Sequence, residues 1–316
     1  MTTRHLVDPE LRAALEGFPP PARDQAGLDA RRAMLGSFLP PRDTYQPPEI
    51  AIEDHVAPGD PDVPLIIYRP SGIGEAQPLY FHIHGGGYVF GNAEMCGPQN
   101  IKTALGAQCI VASVDYRLAP ETRAPNSVED CYAALRWLHC EADRLGIDKR
   151  RIAIGGESAG GGLAAALALL ARDRSEVPIA YQMLLSPMLD DRTCASGATD
   201  PHVGEFVWTR EQNLFGWTSL LGCEPGAPDL SPYCAAARAD DLSGLPPAYV
   251  AVGALDLFRD STVDYAKRLL HAGVPTELHI FPGAYHGFER AADAALVQRA
   301  EAERRDALKR ALHGSS

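Results

Sequence analysis

The chain holds 316 residues, 46% of them hydrophobic and 22% charged. That is the balance of an ordinary water-soluble globular protein, long enough to bury a substantial core. Its net charge of −12 repels phosphate backbones and argues against a nucleic-acid partner.

In chain order, residues 1–48 read as helical but interrupted, because the proline clusters at 19–21, 40–41 and 47–48 stop helices. Leu11, Leu15, Met34, Leu35 and Phe38 give the segment an apolar side, so it is expected to pack on the rest of the chain. From about residue 50 short apolar runs recur, at 65–68, 79–83, 109–114, 152–154, 180–185, 248–252 and 278–281. Helical patterns lie between most of them. The stretch 127–145 puts Val128, Cys131, Ala134, Leu135 and Leu138 on one face, and 261–272 and 292–312 are further helices. Strands alternating with helices predict an α/β fold with a mostly parallel central sheet flanked by helices. Apolar runs without alternation fit strands buried on both faces.

One region breaks this rhythm. Roughly sixty residues separate the strand ending near Ser186 from the one starting near Ala248, too many for a plain loop. They carry Phe206, Trp208, Leu214, Phe215 and Trp217. Thr209 followed by Gln212 has capping-box spacing, which predicts a helix starting at Arg210. An insertion this long with its own helix suggests a cap or lid. The expected organisation is therefore a main domain in two parts, 49–186 and 246–316, split by a cap insertion over 187–245.

No run reaches the roughly 18 apolar residues of a membrane span, and 163–171 reads as a buried helix. The amino terminus has no apolar core of signal-peptide length, since Asp8, Glu10 and Glu16 interrupt it. The seven cysteines form no CxxC pair and read as reduced thiols, so a cytoplasmic location is expected.

The stretch 151–173 places Gly156-Glu157-Ser158-Ala159-Gly160 between an apolar run and an alanine-rich helix. A serine on a sharp strand-to-helix turn needs small neighbours, and the helix N-terminus aims free N–H groups at the same spot. The rival reading, a phosphate-cradling loop, fails because no lysine follows and neither glycine spacing fits, so no nucleotide cofactor is expected. The stretch 80–91 runs from an apolar strand into His84-Gly85-Gly86-Gly87. Consecutive glycines let backbone N–H groups approach a ligand oxygen, as stabilising an oxyanion requires. His84 reads as a structural hydrogen-bonding residue for this loop. His82 and His84 share a strand face, but no further ligands stand nearby in sequence, so no metal is expected.

A serine nucleophile needs a base and an orienting acid. His286, in a short glycine-flanked loop after an apolar strand, is the best candidate base. Asp256, just beyond another apolar strand, is the candidate acid. Its competitor Asp260 precedes an amphipathic helix and reads as that helix's N-cap. The order Ser158, Asp256, His286 is the one expected of an α/β-hydrolase.

Five blocks carry a family resemblance: HGGGY at 84–88, DYRLAPE at 115–121, GESAG at 156–160, YHGF at 285–288 and the stretch 231–260. The chain resembles the hormone-sensitive-lipase-like family of α/β-hydrolases, which includes bacterial carboxylesterases and arylacetamide deacetylases. The resemblance implies Ser158 as nucleophile, Asp256 as acid and His286 as base. It implies Gly86, Gly87 and Ala159 as oxyanion N–H donors, DYRLAPE as structural, and 1–48 with 187–245 as the cap over an acyl pocket. A homodimer would follow by family analogy. The chain departs from the family in Glu157, where many relatives have aspartate or threonine, and in the Asp256-Leu257-Phe258 stretch. Neither change removes a catalytic group. The expected activity is hydrolysis of short-to-medium acyl esters through an acyl-enzyme, with a small-molecule ester as partner. Tyr88, Phe90, Phe206, Trp208, Leu214 and Phe215 are candidate substrate contacts, with core packing the competing role for most of them. The same machinery could open amides or lactones, and a non-catalytic receptor on this fold would have lost a member of the triad.

Overall fold

A computed structural model describes residues 2–18, 22–37, 41–72, 74, 76–194 and 200–314. Phe38, the prolines at 19–21 and Pro40 lie outside the described residues. The strands are β1 (Ile50–Ala57), β2 (Val63–Pro70), β3 (Gln77–Ile83), β4 (Ile110–Val114), β5 (Ile147–Glu157), β6 (Tyr181–Leu185), β7 (Ala248–Gly253) and β8 (Thr276–Phe281). The helices are α1 (Gln25–Ser37), α2 (Gly97–Ala107), α3 (Asn126–Cys140), α4 (Ala142–Leu145), α5 (Ala159–Arg174), α6 (Arg210–Leu221), α7 (Arg259–His271) and α8 (Ala295–His313).

The eight strands form one sheet in the order β1-β2-β4-β3-β5-β6-β7-β8. Pairing is antiparallel for β1 with β2 and for β2 with β4, and parallel from β4 onward. The alternation of strand and helix along the chain produces this, because parallel neighbours need a crossover and the helices supply it.

Alternate residues of each strand feed two cores. Leu79, Phe81 and Ile83 of β3 join Ile152 and Ile154 of β5 with α3, α5 and α7 on one face. Tyr80 of β3, Ala153 of β5 and Met183 of β6 join α2 and α8 on the other. Strands β4, β6 and β7 are buried at every position, as their continuous apolar runs require.

Several elements differ from the sequence reading. Strand β1 is an additional edge strand buried only at its two ends, and its middle carries Glu53, Asp54 and His55, so it offers no continuous apolar run. The helix expected over 127–145 is two helices, broken at Glu141. Strand β5 continues past Ile154 through two glycines to Glu157. Helix α7 starts at Arg259, so Asp260 lies in its first turn, paired with Arg259 at 2.8 Å, and is not the N-cap.

The parallel strands all end at one edge, where an open α/β sheet places its ligand site. His84, Ser158, Ser186, Asp256 and His286 all follow strand ends there. The amino-terminal segment packs beside this edge: the Asp8 N–H donates to the Gly283 carbonyl, and the Tyr285 hydroxyl to the Leu11 carbonyl. Thr3 donates through both its N–H and its hydroxyl to Glu205, tying the segment to the insertion. Within the insertion, α6 begins at Arg210 as the capping spacing predicts, with the Gln212 side chain accepting from the Thr209 N–H at 3.1 Å.

Candidate active site

Ser158 sits between β5 and α5 with φ +57° and ψ −121°, a region a non-glycine residue enters only under strain. The turn is held on both sides. The Ser158 N–H donates to the Leu185 carbonyl, and the Ser158 carbonyl accepts from Gly162 and Met188. Gly156 and Gly160 are required by close approach, since a Cβ on either would collide with the Ile83 carbonyl. The glycines of the motif therefore let the elbow press against the end of β3.

Three side chains from separate strand ends meet here. Ser158 Oγ is 3.0 Å from His286 Nε2, and His286 Nδ1 is 2.8 Å from Asp256 Oδ2. An ionised carboxylate only accepts, so the ring hydrogen lies on Nδ1, and Nε2 presents its lone pair to the serine hydroxyl. All three residues are buried, Asp256 completely. The second Asp256 oxygen accepts from the Phe258 N–H at 2.9 Å, which fixes the carboxylate plane. Burial disfavours the charged imidazole, but the charge and hydrogen bond of Asp256 outweigh it, and the His286 pKa is raised above its ordinary value.

The glycine loop lies directly against the elbow. Gly86 has φ +124° and Gly87 φ +59°, backbone that side chains resist. Among the described residues, no protein acceptor is bonded to the N–H of Gly86, Gly87 or Ala159. His84 holds the loop: its Nδ1 donates to the Gly85 carbonyl at 2.8 Å, and its ring stacks on Tyr116 at 4.3 Å. The Tyr116 hydroxyl donates to the His84 carbonyl at 2.9 Å. Arg117 clamps the buried Asp130, and Glu121 pairs with Arg32 of α1. The DYRLAPE stretch thus braces the loop.

The six candidate substrate contacts separate clearly. Trp208 is the one brought to the triad, its ring 6.2 Å from that of His286. It covers Gly87, where a Cβ would overlap it, and its indole N–H donates to Asn213 at 3.2 Å. Phe90 stands beside Trp208 at 6.4 Å, and Phe206 beside Tyr285 at 6.1 Å. Tyr88 is packed into the core, its hydroxyl bonded to the Met188 carbonyl at 2.8 Å. Phe215 packs on the core cluster, and Leu214 is exposed. Phe258, missed from the sequence, meets His286 edge-on at 5.2 Å. Its place two residues after the candidate acid was the available signal.

Glu157 also has a defined setting. Its carboxylate lies 3.0 Å from His82 Nε2, accepts from the Gly85 N–H at 3.2 Å and from Cys96 Sγ at 3.5 Å. Burial alone would raise its pKa; His82 and the Gly85 N–H outweigh this and hold it at about 2. His82, Cys96 and Glu157 bring potential ligand atoms within 4.8 Å of one another, a set that could hold a metal ion. Each of those atoms is already engaged in a hydrogen bond within the trio. His84 points away from this group, onto Gly85.

A family model described as the alpha/beta hydrolase fold matches residues 80–290. The chain belongs to the α/β-hydrolase family. The hormone-sensitive-lipase-like resemblance of the five blocks is borne out by its relatives. This α/β-hydrolase is 36% identical to Carboxylesterase NlhH of Mycobacterium tuberculosis over 97% of each chain. A solved bacterial heroin esterase superposes with a TM-score of 0.92 at 41% identity, covering 99% of this chain and 100% of that one. Esterase LipW from Mycobacterium marinum superposes at 0.86 with 35% identity, covering 98% and 97%.

Proposed function

We propose that this α/β-hydrolase is a serine carboxylesterase working through an acyl-enzyme on Ser158. Ser158 Oγ attacks the ester carbonyl carbon while His286 Nε2 takes its proton. Asp256 holds the imidazole tautomer and stabilises the imidazolium. The N–H groups of Gly86, Gly87 and Ala159 receive the oxyanion, each such donor being worth about 3 kcal/mol in the transition state. The carbonyl re-forms, and the alcohol leaves with the proton from His286. Water, deprotonated by the same imidazole, then attacks the acyl-enzyme and releases the acid. The observation that carries this reading is the continuous chain from Ser158 Oγ through His286 to Asp256, set at the amino terminus of α5.

The described residues of 1–48 and 187–245 form the cap over the acyl site, with Trp208 covering Gly87. The pocket takes short-to-medium acyl esters. The location is cytoplasmic, in keeping with seven unpaired cysteines, and the protein pairs as a homodimer by family analogy. Among the described residues, no helix is long and apolar enough to cross a membrane.

The test is a panel of nitrophenyl esters from acetate to dodecanoate, run beside the matching anilides and a lactone. Turnover should peak at short-to-medium acyl esters and vanish in Ser158→Ala. Faster Ser158-dependent cleavage of the anilide or the lactone would overturn the ester assignment.

A further inference from the structure

We propose that Glu157, the residue before the nucleophile, is a positioning residue: by bridging His82 and the Gly85 N–H it sets the aim of the oxyanion loop. This rests on the serine-esterase reading.

The loop is anchored at two successive peptides. Glu157 Oε1 accepts from the Gly85 N–H, holding the peptide that enters Gly85. His84 Nδ1 holds the Gly85 carbonyl, and so the peptide that leaves it. In a trans peptide the carbonyl and the following N–H point in opposite directions. Fixing the Gly85 carbonyl therefore fixes the direction of the Gly86 N–H, a proposed oxyanion donor. Three glycines in a row carry no side chains to lock themselves, so their direction must come from outside the loop.

Glu157 is itself held. His82 is buried, with Ser113 Oγ at 3.0 Å and Asn100 Nδ2 at 3.4 Å from its Nδ1. Both can donate to that nitrogen, which leaves the ring hydrogen on Nε2 to bind the Glu157 carboxylate. The parallel register sets His82 opposite Gly155, so His82 and Glu157 project from the same face of neighbouring strands. Because Glu157 adjoins Ser158, the nucleophile and the loop move as one piece. A Cβ at Gly85 would stand 2.9 Å from the Glu157 carbonyl and 3.3 Å from Ser158 Cβ, which shows how closely the two pack.

A negative charge so near an oxyanion needs an outlet. The Glu157 side chain keeps 41% of its surface open and lines a cavity of about 340 Å³ between α2 and α8, together with His82, Asn100 and Arg304. The charge is therefore solvated from the side of the sheet carrying α2 and α8, while the carboxylate still grips the loop. An ionised acceptor also makes a stronger hydrogen bond to an N–H than a neutral one.

The test uses the full chain and the variants Glu157→Ala and Glu157→Gln. It measures kcat and KM for nitrophenyl butyrate and Ki for an aryl trifluoromethyl ketone. Ser158 adds to that ketone, and its oxygen then occupies the oxyanion site. Glu157→Ala should lower kcat by about tenfold or more with KM within about twofold, a fraction of what losing a whole donor costs. The ketone Ki should rise by the same factor. Glu157→Gln keeps an oxygen acceptor for the Gly85 N–H but gives up the one facing His82 Nε2, and should recover part of both losses. Should Glu157→Ala fail to fold, His82→Ala carries the same paired expectation for kcat and Ki. Glu157→Ala holding kcat and Ki within twofold, or Glu157→Gln falling as far as Glu157→Ala, would overturn the positioning role alone. A wild-type chain that neither turns over the ester nor binds the ketone would overturn the serine-esterase reading, and this inference with it.

Discussion

Ser158–His286–Asp256 and Ser113–His82–Glu157 are built from equivalent residue types at similar spacings. In the first, the serine and carboxylate lie 3.0 and 2.8 Å from the ring nitrogens. In the second, both distances are 3.0 Å. The ring is reversed between them: His286 gives Nε2 to its serine, whereas His82 gives Nδ1. The larger difference is the backbone. Ser158 stands at the N-cap position of α5 with φ +57°, beside three N–H groups that have no protein acceptor among the described residues. Ser113 lies inside β4, fully buried, with β2 on one side and β3 on the other. Ser113 has no exposed surface, whereas Ser158 keeps a little of its own. The two sets thus differ in strand ends and free donors, and hardly in residue identity.

Substitutions should separate the two sets sharply. Asp256→Asn should lower kcat by about 10⁴-fold, because the amide favours the wrong imidazole tautomer. A loss under about tenfold would remove Asp256 from the triad. The pH profile comes next in size. His286 must be neutral to act as base, and its pKa is raised. So kcat/KM should fall about tenfold per pH unit below a midpoint above roughly 6.5. Removing the Asp256 carboxylate should move that midpoint down. Glu157, with its pKa at about 2, should add no inflection at working pH. A flat profile between about pH 5 and 8 would contradict the role of His286. The smallest effect belongs to Ser113→Ala, which should leave kcat within about twofold and cost about 1 kcal/mol in urea unfolding, the worth of one hydrogen bond. A large fall in kcat would mean that Asn100 alone cannot hold His82 on Glu157.

Much of this was legible in the sequence, and the parts that were not have physical reasons. The seven apolar runs correspond to β2 through β8; the central strands β4, β6 and β7 are apolar throughout because they are buried at every position. Strand β1 was not legible because this edge strand is buried only at its two ends and has charged residues at its middle. The meeting of Ser158, His286 and Asp256 could be read because each sits in a turn that follows an apolar run. The bond between Glu157 and His82 could not, since it joins residues 75 apart through the register of β3 on β5. Strand parity was the available clue: Tyr80 and His82 alternate with Leu79, Phe81 and Ile83, and Glu157 takes the corresponding parity on β5. The aromatic cluster of 206–217 was visible, but only the fold decides that Trp208 reaches His286 while Leu214 faces solvent.

The most direct measurement is to treat the full chain with a serine-directed fluorophosphonate and locate the adduct by peptide mass spectrometry. A single adduct on Ser158, lost in Ser158→Ala and never found on Ser113, is the predicted result. An adduct on any other residue, or stoichiometric labelling that survives in Ser158→Ala, would contradict the account.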